Sequence, residues 1–152
     1  MNFKTKLSSI TIILLLAGFV NLEAQTNPKE IVEEFFIDYK NDGASKALDK
    51  LYSTNKWMER ATDAITNLKS QLESLNEDYV GKYYGYELIT EKKLAESYFL
   101  LSYLVKFDRQ PIRYTFHFYK PDDKWVIYNF KFDANIGTEI EESAKLYYLD
   151  MN

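Results

Sequence analysis

The chain of 152 residues contains no cysteine, one histidine, three prolines and five glycines. Without cysteine the protein forms no disulfide and no thiolate metal site, and one imidazole cannot build a histidine-rich metal site. The net charge of −4 gives no basic surface for nucleic acid. The fold therefore depends on apolar burial, for which 46% hydrophobic residues, thirteen tyrosines and ten phenylalanines supply the material.

The first 24 residues have the pattern of an export signal. Lys4 and Lys6 precede an apolar run from Ile10 to Val20, and a small-residue cleavage site ends at Ala24. The run is too short to span a bilayer, which favours a cleaved signal peptide at residues 1–24 over a retained interfacial helix. We expect a periplasmic or secreted protein with no stable membrane insertion after cleavage.

Removal of residues 1–24 leaves 128 of the 152 residues, which is the size of one domain. No repeat or linker divides them, and a helical first half precedes a strand-rich second half. We expect residues 25–152 to form a single α+β cone domain.

Apolar spacing predicts three amphipathic helices in the first half. A capping box with proline in its first turn opens a helix at Asn27–Glu30, and Asn41–Gly43 ends that helix. A short second helix covers Ala44–Leu51, and one apolar stripe predicts a long third helix over Met58–Leu75. A second capping box predicts a last helix from Thr138 to about Tyr148.

The second half is rich in tyrosine, phenylalanine, valine and isoleucine, which favour strands. Apolar alternation places Phe116 opposite Tyr128 in the last hairpin and opposite Tyr103 in the preceding one, so that one aromatic face crosses three strands. The four strands of this antiparallel meander are expected near Lys82–Glu91, Glu96–Phe107, Ile112–Lys120 and Lys124–Phe132.

The order of these elements, with stretches such as Ile31–Tyr39 and Trp125–Phe132, resembles the nuclear transport factor two-like fold, also called the cystatin-like α+β cone. The resemblance covers Pro28 to about Asn135, and the helix after Gly137 departs from the minimal cone. It implies three N-terminal helices packed on a curved four-stranded sheet, with a pocket between the concave sheet face and the helices. In isomerase-like and cyclase-like relatives, an Asp, Glu or His on that face transfers the proton.

The side chains expected on the concave face include several phenols but no carboxylate, imidazole or lysine. This set argues against catalysis and gives no reason to expect a cofactor. The phenols either line an apolar pocket or are core residues whose hydroxyls reach the rim, and Trp57 is either a pocket lid or a packing anchor. The candidate pocket residues are Tyr84, Tyr86, Tyr103, Tyr114, Phe116, Tyr128, Phe130 and Trp57.

The opposite sheet face mixes apolar and polar residues, as a two-fold homodimer interface does, although an ordinary exposed face has the same pattern. A catalytic pair of His117 and Ser102 on this face lacks an acid that would orient the imidazole. The candidate dimer residues are Ser102, Leu104, Thr115, His117, Tyr119, Trp125, Ile127 and Asn129.

Two further charge patterns bear on the binding of anions and of metal ions. Lys106, Arg113 and Lys131 either hold an anion or form a solubilising patch that interleaves with acids. The acids at Asp122, Asp123 and Asp133 do not have the spacing of a calcium loop, so we expect no metal site.

Three functions are compatible with these patterns. The first is an exported, non-catalytic protein that binds a small apolar or aromatic ligand in a tyrosine-lined cone pocket. The second is a ligand-free interaction or dimerisation module of the cell envelope. The third is an isomerase-like or dehydratase-like enzyme, which requires a strand register that brings Glu87 inside. The tyrosine content favours the first.

Overall fold

The computed structural model describes residues 27–149 and confirms an α+β fold with a four-stranded antiparallel sheet in the order β1-β2-β3-β4. The predicted signal peptide lies outside the described residues. No helix of residues 27–149 is both long and apolar enough to cross a membrane. The elements are α1 Pro28–Asp42, α2 Ala44–Ser53, the 3₁₀ helix η1 Lys56–Ala61, α3 Thr62–Glu73, α4 Glu77–Val80, β1 Tyr83–Ala95, β2 Tyr98–Phe107, β3 Ile112–Tyr119, β4 Val126–Asp133 and α5 Ile136–Leu149.

The predicted bounds of α1 and the predicted start of α2 are confirmed, although α2 continues two residues past the predicted Leu51. The Asn27 side chain accepts hydrogen bonds from the backbone N–H groups of Lys29 and Glu30, at 2.8 and 3.2 Å. The Glu30 carboxylate accepts from the Asn27 backbone N–H at 3.1 Å, which completes the capping box. Gly43, at φ +92°, ends α1 and allows α2 to start directly after it.

The prediction of one long third helix over Met58–Leu75 is wrong, because η1 precedes α3 and the chain turns again before α4. The Asn55 side chain caps the start of η1 by accepting from the Trp57 backbone N–H at 3.1 Å. The last helix also differs, since it begins at Ile136 rather than at Thr138.

Two adjacent phenylalanines of α1 fill the space between this helix and the concave face of the sheet. The Phe36 ring stacks on Tyr86 at 3.8 Å between ring centres and lies 5.4 Å from the Tyr103 ring. The Phe35 ring lies 5.2 Å from Phe116 and 5.6 Å from the next strand's Phe130. Both phenylalanines are almost completely buried, so the centre of the core consists of aromatic rings in stacked, tilted and edge-to-face contacts.

The β2–β3 hairpin keeps the predicted faces with a register shifted by two residues. Tyr103 lies opposite Tyr114, whereas the prediction placed it opposite Phe116. The turn is longer than predicted because the residues just before β1 bind its backbone. The Asp108 N–H donates to the Lys82 carbonyl, and the Arg109 N–H donates to the Val80 carbonyl. A shift of two residues leaves the same side chains on the same face.

A β-bulge at Tyr128 changes the alternation of β4. Phe116 lies opposite Phe130, while Phe118 lies opposite Ile127, so Tyr128 is the extra residue. Ile127 is consequently buried and Tyr128 is 56% exposed. The predicted positions of Tyr128 on the inner face and of Ile127 on the outer face are therefore wrong.

The same change of alternation affects the two residues before Ile127. Val126 lies opposite Tyr119 on the outer face. Trp125 packs against Phe99 of the core, with 6.2 Å between ring centres, so its predicted place on the outer face is wrong.

The segment between α2 and η1 holds the free edge of β4 at the bulge. The Asn55 side-chain amide donates to the Ile127 carbonyl at 2.7 Å, and the Thr54 hydroxyl accepts from the Ile127 N–H at 3.1 Å. Both edge-facing backbone groups of Ile127 are thus paired with residues more than seventy positions earlier in the chain. These bonds cover an edge that would otherwise be open to another strand.

A second bulge, at Tyr84, changes the alternation of β1. Tyr83 lies opposite Phe107 and Gly85 lies opposite Lys106, and Gly85 has φ +116°. Tyr83 and Tyr86 therefore both pack against the core, whereas Tyr84 is 59% exposed. The predicted inner position of Tyr84 is wrong for this reason.

Replacement of Asn55 by alanine should lower the free energy of unfolding by about 1–3 kcal/mol, because the buried Ile127 carbonyl then loses its partner. Urea unfolding of N55A beside wild type measures the loss. N129A, which changes an exposed asparagine of β4, should keep the free energy of unfolding within about 0.5 kcal/mol of wild type. Equal losses in the two variants would contradict this account of the β4 edge.

Candidate functional site

The eight candidate pocket residues do not surround one cavity. Tyr103, Tyr114, Phe116 and Phe130 are buried, and Tyr86 is half-buried beneath Phe36. The remaining three, Tyr84, Tyr128 and Trp57, are each more than half exposed. Because Phe35 and Phe36 occupy the space in front of the buried group, that part of the cone is a filled core.

An open cleft of about 350 Å³ lies at one end of the molecule, and none of the eight candidate pocket residues lines it. This volume is at the lower end of the range of small-molecule sites, about 300–1,000 Å³. We call it the end cleft. Its lining residues are Tyr39, Asp42, Gly43, Ala44, Ser45, Leu72, Glu73, Leu75, Glu77, Gly81, Lys82, Tyr83 and Phe107.

Gly81 fixes the β1 side of the end cleft. Its φ is +83°, and a Cβ atom there would lie 2.5 Å from the Cβ of Asp108. Only glycine allows this approach without displacement of the backbone. The Asp108 carboxylate accepts from the Lys82 N–H at 3.2 Å, and the Arg109 guanidinium donates to the Asp78 carbonyl at 2.6 Å. The β2–β3 turn thus supports the cleft wall at Lys82 and Tyr83.

Three aromatic rings with different orientations stand in the end cleft. The Tyr83 ring lies 5.6 Å from Tyr39 and 5.8 Å from Phe107, at interplanar angles of 59° and 60°. All three side chains are half-buried, so part of each ring is accessible. Leu75 adds apolar surface above the buried Leu72. The cleft is therefore an aromatic and apolar site that is open to solvent.

The phenol of Tyr39 connects the end cleft to the core. The fully buried Tyr114 donates its hydroxyl hydrogen to the Tyr39 hydroxyl at 3.1 Å. Burial raises the pKa of Tyr39, raises the pKa of Tyr83 to about 12 and raises the pKa of Tyr114 well above 10. These phenols are therefore neutral at physiological pH. Tyr114 is therefore a core residue whose hydroxyl reaches the rim, which is one of the two alternatives considered for the phenols.

Acidic residues outnumber basic ones around the end cleft. Asp42, Glu73 and Glu77 line it together with one lysine, Lys82. Asp42 pairs with Lys46 at 3.5 Å, while the Lys82 ammonium lies 5.8 Å from the centre of the Tyr84 ring. Since Tyr84 does not line the cleft, the ammonium is directed towards the outer side of β1.

The concave face carries a carboxylate that we did not expect there. Glu91 lies opposite Leu101, on the inner side of the edge strand, and pairs with Lys29 at the start of α1. Glu87, the residue on which the enzyme hypothesis depended, lies opposite Leu104 and accepts from Lys106 at 2.6 Å on the outer face. Glu87 is therefore not a proton-transfer group of the concave face.

The outer face contains most of the candidate dimer residues. Ser102 and Thr115 are buried, with their hydroxyl oxygens 3.4 Å apart, and Leu104 is half-buried. Tyr119 and Asn129 are exposed. Trp125 and Ile127 belong to the core, as described above.

His117 on the outer face interacts with tyrosine and not with Ser102. Its Nδ1 lies 3.0 Å from the hydroxyl of Tyr98, whose ring also contacts Tyr128 at 5.9 Å. Burial lowers the pKa of His117, and the neighbouring Lys131 lowers it further. The neutral imidazole is therefore favoured in the folded protein.

Two of the three expected cations on this face are paired with acids. Lys106 pairs with Glu87, and the Arg113 guanidinium binds both oxygens of Asp133 and also contacts Glu139 of α5. This interleaving agrees with a solubilising patch. Within residues 27–149, no group of three or more acidic or histidine side chains is arranged to hold a metal ion.

A comparison of the chain with protein-family models, curated proteins and solved structures finds no match. The end cleft is therefore the feature of residues 27–149 from which a function is inferred.

Sequence reasoning missed the end cleft because its residues come from five separate parts of the chain. One signal was available for Tyr83: an isolated glycine within a strand, here Gly85, is typical of a bulge. A bulge at that point places Tyr83 and Tyr86 on the same side. No comparable local signal marks Tyr39 or Phe107 as cleft residues.

The buried phenols should make the protein sensitive to alkali. An unfolded tyrosine has a pKa of about 10, whereas Tyr83 and Tyr103 have pKa values of about 12 in the fold. Stability from these groups is complete below about pH 10 and is lost as the pH rises through about 12. Urea unfolding at several pH values, beside an absorbance titration of the phenols, should show this loss.

The variant Y83F offers a direct comparison for that titration. It should lose one of the late-titrating phenols and become less sensitive to alkali than wild type. An unchanged free energy of unfolding between pH 9 and about pH 11.5 in wild type would contradict the prediction.

Proposed function

We propose that this chain is an exported, non-catalytic binding protein whose ligand is a small apolar or aromatic molecule held in the end cleft. The observation that carries the proposal is the set of half-buried rings at Tyr39, Tyr83 and Phe107, with apolar surface from Leu75. Small-molecule sites are typically concave and mostly apolar, with a few placed polar groups. The neutral Tyr39 and Tyr83 hydroxyls are suitable groups to orient a ligand.

The filled core gives independent support for this location. Phe36 stacks on Tyr86, and Phe35 contacts Phe116 and Phe130, so a ligand in front of the concave sheet face would have to displace aromatic side chains. Removal of a buried phenylalanine from a core costs about 3–5 kcal/mol. The end cleft is already open and requires no such displacement.

The positions of the candidate proton-transfer groups among residues 27–149 support the non-catalytic proposal. Glu91 is held by Lys29, and His117 lies on the outer face beside Tyr98. The order of N-terminal helices before a four-stranded antiparallel sheet supports membership of the nuclear transport factor two-like group. We extend the proposal to that group and to a periplasmic or secreted location.

A ligand retained from the producing cell tests the proposal. Native mass spectrometry of mature protein from the envelope of its own producer should show an extra mass that is lost on denaturation. S45W should lack that mass, because its indole fills the end cleft. S53W is the matched control, since Ser53 is an exposed residue at the other end of α2 and does not line the cleft.

Two results of that experiment would contradict the proposed function. One is a wild-type protein without any extra mass. The other is an S45W protein that retains the mass, which would place the ligand elsewhere. Circular dichroism of both tryptophan variants checks that they fold.

A homodimer formed through the outer face is a second candidate. Tyr98, His117 and Tyr128 form one cluster there, and both Tyr119 and Tyr128 present large exposed rings. Aromatic residues of this kind are enriched in protein interfaces. The same native spectra report the mass of the assembly, and a monomer mass alone at micromolar concentration would contradict the dimer.

A further inference from the structure

We infer that the ligand of the end cleft is a small organic cation, such as a quaternary or methylated ammonium compound. The inference rests on the proposed binding function and adds a chemical class to it. The end cleft combines a wall of aromatic rings with a surplus of carboxylates, and an ammonium group without N–H donors is the group that both features recognise.

The spacing of the rings suits a cation. A cation is attracted to the face of an aromatic ring when it lies within about 6 Å of the ring centre. Tyr83 packs directly against Tyr39 and Phe107, at 5.6 and 5.8 Å between ring centres, so the three rings form one continuous aromatic wall of the cleft. A cation bound on this wall can contact the accessible part of more than one ring.

The phenols remain protonated, so their rings keep their attraction for a cation. Burial raises the pKa of both Tyr39 and Tyr83, so their rings stay neutral. A neutral ring offers its electron-rich face, and methyl groups on nitrogen pack well against it. A primary ammonium would have to lose hydrogen bonds to water that these rings do not replace, which favours the methylated group.

The charged residues around the cleft favour a positively charged ligand. Glu73 and Glu77 are exposed lining residues, and Asp42 adds a third carboxylate that pairs with Lys46. The opposing charge of Lys82 points towards Tyr84, outside the cleft. An anion would meet this acidic rim, and a neutral molecule would gain nothing from it.

The first turn of α2 determines where in the cleft the cation is expected. Gly43, Ala44 and Ser45 line the cleft with the partly positive end of the α2 helix. The cationic group should therefore lie on the β1–β2 side, next to Tyr83 and Phe107. A neutral or polar tail is expected towards α2.

Two probes of the same shape test the inference. Choline and 3,3-dimethylbutan-1-ol differ in charge, because a quaternary carbon replaces the quaternary nitrogen. In ¹H–¹⁵N NMR titrations of the mature protein, choline should shift the backbone amides of Lys82, Tyr83 and Phe107 with an affinity at least about tenfold higher than that of the alcohol. The choline affinity should fall as NaCl is raised, and the alcohol affinity should not.

Matched variants test whether the preference for choline depends on the aromatic wall. Y83L removes the central ring and keeps apolar bulk, so it should abolish the preference for choline. Y84L, which changes the exposed neighbouring ring, should keep it. E73Q leaves the packing intact and should weaken choline binding without changing the binding of the alcohol, while E141Q on α5 should change neither.

Each outcome of the titration has a separate meaning. Equal or tighter binding of the alcohol at the same amides overturns the cation inference and leaves the end cleft as the ligand site. No shift with either probe also overturns the cation inference. The proposed function fails independently, when the native spectra of the wild-type protein show no retained mass or when S45W keeps it.

Discussion

The insertion of Phe35 and Phe36 between α1 and the sheet is the packing interaction on which the rest of the structure depends. These rings contact β1, β3 and β4 at once through Tyr86, Phe116 and Phe130. Because they are rigid and fully enclosed, they fix the distance between helix and sheet. They occupy the space between α1 and the concave sheet face, whereas the end cleft is open to solvent.

The chain has no disulfide, and long-range polar contacts supplement this core. Asn55 and Thr54 hold the edge of β4 at Ile127, while the β2–β3 turn holds the start of β1 across the glycine at Gly81. The second contact also forms one wall of the end cleft. The residues that stabilise the start of β1 therefore also define the shape of the cleft.

Local patterns predicted the parts of the fold that local physics decides. The capping box at Asn27, the break at Gly43 and the apolar faces of β2 and β3 follow from spacing over a few residues. Alternation failed at register shifts, of which the bulges at Tyr84 and Tyr128 moved candidate pocket residues out of the core. The first had a local sign in Gly85, whereas the second depends on bonds from Thr54 and Asn55 that no short window contains. The end cleft was missed because it is assembled from distant segments.

A crystal structure of the mature protein under xenon pressure tests the central claim most directly, because xenon enters apolar voids that are large enough to admit it. The account predicts no xenon between α1 and the concave sheet face beside Phe35 and Phe36, with both rings in the positions described. Xenon or ligand density in that space would contradict the account, since it would show that the cone holds an internal pocket.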